Sequence, residues 1–96
     1  MDKITFDGKQ YPCRMTMGAL RRYKQIEGED ISKMNGDVAK VGTLLYCCIA
    51  SASSADGVMF DVDIDDFADR VTVQQVGEFA KVLNDTGKAK KKTGKP

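Results

Sequence analysis

The chain of 96 residues contains no histidine. That absence excludes Ser–His and Cys–His nucleophilic catalysis, histidine general-base chemistry and most zinc sites. No CxxC spacing and no glycine-rich phosphate loop occurs. The longest apolar run, 44–50, is seven residues, far short of the ~20 needed to span a bilayer, so no membrane is expected. The N-terminus lacks a basic stretch followed by an apolar one, so secretion is not expected. The three cysteines, Cys13, Cys47 and Cys48, are odd in number and two are adjacent. Free thiols in a reducing cytoplasm are the expectation, and a reactive or metal-bound thiol is the alternative.

What remains is a small polar-coated domain. Apolar residues make up 42% and charged residues 30%, a composition that folds. The net charge of +1 hides a division. Residues 88–96 hold five lysines and no acid, leaving ten basic against fourteen acidic residues over 1–87. The expectation is one globular domain over 1–87 and a disordered Lys-rich tail over 88–96. The tail has neither an aromatic residue to stack on bases nor an arginine to read guanine. Nucleic acid is therefore not the expected partner.

The fold class read from the pattern is α+β: an N-terminal β-hairpin followed by a bundle of three to four helices. Ile4 and Phe6 alternate with polar neighbours, Asp7-Gly8 signals a tight turn, and Tyr11 and Cys13 continue a second strand. The hairpin is placed at 2–14, with Pro12 on an edge. Thr16 caps a helix over about 16–27 that Gly28 stops. Asp30 caps one further turn before Asn35-Gly36. Asp37 opens a helix over about 37–53 whose centre is apolar nearly all round, as in a helix buried by its own domain or by a partner. Residues 51–57 read as a polar loop. Two more helices are placed at about 65–70 and 73–84, the second carrying Gly77 at a cost of about 1 kcal/mol.

The densest polar cluster is DVDIDDFAD at 61–69. It imitates the start of a calcium loop but has Asp66 where the turn needs glycine and Thr72 where a bidentate glutamate belongs. Neither a catalytic residue, a cofactor nor a metal ligand set is expected, and the chain is read as a non-enzyme.

Several segments resemble the tail assembly chaperones of siphophages and prophages. They are ITFDGKQY (4–11), MTMGALRRYKQIEG (15–28), the apolar helix with its Leu45-Tyr46 pair, and DIDDF (63–67). The resemblance spans about 2–84. The loop 51–60 departs from it by lacking a histidine-aspartate-proline turn. The resemblance implies a virion-morphogenesis protein of the host cytoplasm, absent from the mature particle. It would coat the tape-measure protein, self-associate and meet tail tube subunits. In many such phages a longer product arises by frameshifting, and the resemblance makes 88–96, with its Lys90–Lys92 run, the junction where such a product would diverge. The candidate partner-binding residues are Met17, Tyr23, Leu44, Leu45, Tyr46 and Ile49. The alternatives are a basic-tailed nucleic-acid-binding or regulatory protein using Arg21 and Arg22, and a minor structural tail component.

Overall fold

The computed structural model describes the backbone of residues 3–93 and the side chains of residues 3–83. The first element is an antiparallel hairpin of β1 (Lys3–Phe6) and β2 (Lys9–Pro12), with Ile4 opposite Tyr11 and Phe6 opposite Lys9. Asp7 and Gly8 both take positive φ, 55° and 80°, the two-residue turn whose twist matches that of the strands. Phe6 and Tyr11 point inward, and Pro12 stands on a strand of a two-stranded sheet, where every strand is an edge.

Helix α1 (Met17–Glu27) begins where the Thr16 hydroxyl accepts from the Ala19 amide at 3.0 Å. It ends at Gly28, whose φ of 74° lets its amide close on the Lys24 carbonyl. A single 3₁₀ turn, Ile31–Lys33, follows an Asp30 cap. Helix α2 (Val38–Asp56) starts at an Asp37 cap and runs 19 residues. Helix α3 (Ile64–Arg70) is capped by Asp63. Helix α4 is Val73–Thr93. Its start is a reciprocal capping box: the Thr72 hydroxyl accepts from the Gln75 amide, and the Gln75 side chain accepts from the Thr72 amide. Gln75 also donates to the Thr5 carbonyl at 3.0 Å, which ties α4 to the hairpin.

The α+β architecture is thus a hairpin followed by four helices, with α2 as the central rod. Val41, Leu44, Leu45, Cys47, Cys48, Ile49 and Ala52 are buried on it. By length and mean hydropathy, 1.3, α2 alone would suit a bilayer; here α1, β2, α3 and α4 pack around it. Five rings close the other end of the core. Phe67 lies 4.7 Å from Phe6 and 5.3 Å from Tyr46, while Phe60 lies 5.0 Å from Tyr11.

Two boundaries differ from the sequence reading. The expected polar loop at 51–57 is the last turn and a half of α2, ending at Asp56 before Gly57. Ser51, Ala52 and Ser53 are buried there. They are small because α1 crosses closely: a Cβ on Gly18 would lie 2.7 Å from the Ser51 hydroxyl oxygen. Thr16 and Ser51 share a hydrogen bond at this crossing. The second difference is α4, which continues past the expected end at 84 to Thr93. The expectation of a disordered tail concerns 88–96, whose side chains lie outside the described residues.

Candidate protein-binding groove

The capping residues Asp37 and Thr72 each place a valine on the first turn of a helix. Val38 follows Asp37 and Val73 follows Thr72. A valine buried by its own fold should be covered, yet Val38 is 53% exposed and Val73 is 75% exposed. Both sit over an apolar depression of about 250 Å³ between α2, α3 and α4. Ala39 and Gly42 form its α2 wall, Ile64, Ala68 and Val71 its α3 wall, and Val76 its floor. A second depression of about 340 Å³ continues on the other side of the same valines. Met34, Val41, Ala80 and Leu83 line that half. Val38, Val73 and Val76 border both, so the two depressions adjoin along these valines and together make an apolar, grooved face.

The geometry follows from small residues at the crossing. A Cβ added to Gly42 would meet the Val76 Cγ2 at 3.7 Å, so the Val76 side chain of α4 faces α2 at this glycine. At Gly77 no atom lies within 4 Å of such a Cβ, which leaves the α4 wall open. Helical spacing carries Ile64, Phe67, Ala68 and Val71 along one side of α3. Asp65, Asp66 and Asp69 are exposed on the rest of that helix, so the apolar wall has an acidic outer edge.

The six partner-binding residues expected from sequence divide between core and surface. Tyr23, Leu44, Leu45 and Ile49 are each at most 1% exposed and hold the helices together. In this fold they form no surface. Tyr46 is half-buried among Phe60 and Phe67, and its hydroxyl donates to the Val62 carbonyl at 2.6 Å. Met17 is 73% exposed but lies on the first turn of α1 and does not line the groove. None of the six borders it. As apolar residues at helical spacing, Val38 and Val73 look like any other core valine. The signal that sets them apart is their place directly after a capping residue, where a helix end meets solvent.

Ion pairs fasten the outside of the fold. Arg14 holds Asp56 through two bonds of 2.9 and 2.7 Å, and the guanidinium keeps the Asp56 carboxyl below its usual range. Arg70 reaches Asp7 in the hairpin turn at 2.8 Å. Lys40 pairs with Glu29, and Thr43 donates to Glu27. Arg21 and Arg22 border a shallow polar depression on α1 with Gly18 and Gln25. Among the described residues no three His, Cys, Asp or Glu side chains come together as a metal site.

No protein-family model, no curated protein and no solved structure matches this chain. The functional reading therefore rests on the residues and the groove.

Proposed function

We propose that this chain is a non-enzymatic tail assembly chaperone of a long-tailed phage or prophage. It binds apolar helical segments of the tape-measure protein and keeps them soluble in the host cytoplasm until tail tube subunits replace it. The observation that carries this reading is the apolar groove under Val38 and Val73, open to solvent in a chain that also resembles such chaperones over 2–84. A holdase needs accessible apolar surface, a charged exterior and release without covalent chemistry. The groove supplies the first and the exposed aspartates of α3 the second. An occupant with an apolar stripe and basic flanks fits such a lining, because the rim charge steers the encounter while apolar contact supplies affinity.

The test is co-expression with a segment of tape-measure protein encoded beside this chain. The segment is expected to move from the insoluble to the soluble fraction and to co-purify with the chain. Unchanged solubility together with salt-sensitive DNA retention would support the nucleic-acid reading instead. Recovery of the chain in purified virions would favour a structural tail component.

A further inference from the structure

A glycine within a helix weakens it relative to alanine, so something else must favour the missing side chain. At Gly18 that is packing, since a Cβ would lie 2.7 Å from the Ser51 hydroxyl oxygen. At Gly42 the Val76 side chain fills the space, 3.7 Å from where a Cβ would be. At Gly77, in the second turn of α4, the fold supplies no such reason. Its φ is not positive, and no described atom lies within 4 Å of a Cβ built on it. It borders instead the larger depression, of about 340 Å³. Gly36 borders the same depression, and its φ of 73° requires glycine. Two positions around this opening thus carry no side chain. Val41 and Val76 are buried there, while Met34, Ala80 and Leu83 are partly covered.

We infer that Gly77 is a specificity-determining residue of the groove. The side chain it lacks keeps this half open for one large apolar side chain, of leucine or phenylalanine size, on the stripe of a helical occupant. The inference rests on the groove being the docking surface for apolar helical segments. Helices that lie in grooves seat such anchors at i, i+3, i+4 and i+7. Met34 has a flexible thioether chain that adjusts to a branched or an aromatic anchor. The two halves of the groove are unlike, and this gives the occupant a direction. The half beside α3 is smaller, about 250 Å³, and Asp65, Asp66 and Asp69 are exposed on that helix. The half at Gly77 is lined by apolar residues and glycine alone. A large apolar side chain therefore enters at Gly77, a smaller one rests over Val38 and Val73, and a basic residue lies toward α3. The reverse direction would place the basic residue against an apolar lining, where its desolvation is uncompensated. Alanine at 77 strengthens the helix and narrows the opening, so stability and affinity should move in opposite directions.

The experiment uses two probes, the neutral dye Nile red and a labelled apolar helical segment of the tape-measure protein. Nile red should brighten and shift to the blue on the parent chain. Gly77→Leu should lose at least two-thirds of that gain. Gln74→Leu adds the same side chain at an exposed position that borders neither depression, and should keep it. Gly77→Ala should melt above the parent yet bind the segment more weakly. Gly77→Leu should bind it at least tenfold more weakly, with circular dichroism showing the parent fold. Alanine replacement of the segment's large apolar residues, one at a time, should find one that weakens binding to the parent at least tenfold and binding to Gly77→Leu less than twofold. Equal dye emission from the parent and Gly77→Leu would overturn the inference, as would parent-like segment affinity in folded Gly77→Leu. Absence of segment binding by the parent, with the dye difference intact, would instead overturn the tape-measure reading and support the opening at Gly77.

Discussion

The Tyr46 hydroxyl donates to the Val62 carbonyl at 2.6 Å. This bond ties the centre of α2 to the extended segment that leads into α3. It also engages the polar tip of a tyrosine on the apolar central helix, whose ring packs on Phe60 and Phe67. Tyr46→Phe keeps the ring and deletes the bond. It should lower stability by about 1 kcal/mol, seen as a lower urea midpoint with an unchanged slope. Partner capture should be unaffected, because Tyr46 does not border the groove.

Two glycines inside helices should respond oppositely to alanine. At Gly18 a Cβ would press on the Ser51 oxygen at 2.7 Å and the Arg22 guanidinium at 2.9 Å. Arg22 can swing away, but Ser51 is a short side chain bonded to Thr16. Gly18→Ala should therefore lose about 1 kcal/mol or more despite its better helix propensity. At Gly77 nothing lies within 4 Å, so Gly77→Ala should gain about 0.5–1 kcal/mol. Thermal melts of the two variants side by side check the pair.

The hairpin, its Asp7-Gly8 turn and the caps at Thr16, Asp30 and Asp37 were legible in the sequence, because each depends on residues only a few positions apart. The end of α2 was not. Ser51, Ala52, Ser53 and Ser54 have the composition of a loop, and only the approach of Gly18 makes a helix of small residues the better solution there. The groove was half legible. The apolar stripes of α2 and α4 were visible, but which members stay uncovered depends on how α4 crosses α2 at Gly42. The apolar centre of α2 pointed to burial without saying by what; the chain itself covers Leu44, Leu45 and Ile49.

Buried titrating groups give the fold an alkaline limit. Burial raises the Tyr23 phenol, with the Glu27 carboxylate adding to it, and burial raises the Cys47 thiol to about 11. A group raised on folding gives stability that is complete below its unfolded value and lost as pH climbs through its folded one. Since an unfolded cysteine titrates near ~8.5 and a tyrosine near ~10, the melting temperature should fall from about pH 9 upward. The Tyr23 hydroxyl finds no hydrogen-bond partner among the described residues. Tyr23→Phe should thus hold or raise stability at pH 7, by up to about 1 kcal/mol, and flatten the alkaline fall. Cys47→Ala should flatten it as well. Melts between pH 7 and 11 provide the readout.

Aspartate at the two exposed valines should separate folding from binding. Val38 and Val73 each occupy the first position of a helix that has no acidic residue in its first turn. A negative charge there complements the helix dipole, so Val38→Asp and Val73→Asp should keep the parent stability to within about 0.5 kcal/mol, as urea unfolding would show. Both place a charge on the lip of an apolar groove, where an occupant would have to desolvate it.

The most direct measurement is the affinity of a labelled, apolar helical segment of the tape-measure protein for the parent chain and for Val73→Asp, by fluorescence anisotropy. Saturable binding to the parent and at least tenfold weaker binding to the folded variant are expected, since burying one valine contributes about 1.5 kcal/mol. Equal affinity for both chains, or no binding to the parent, would contradict the groove as the seat of function.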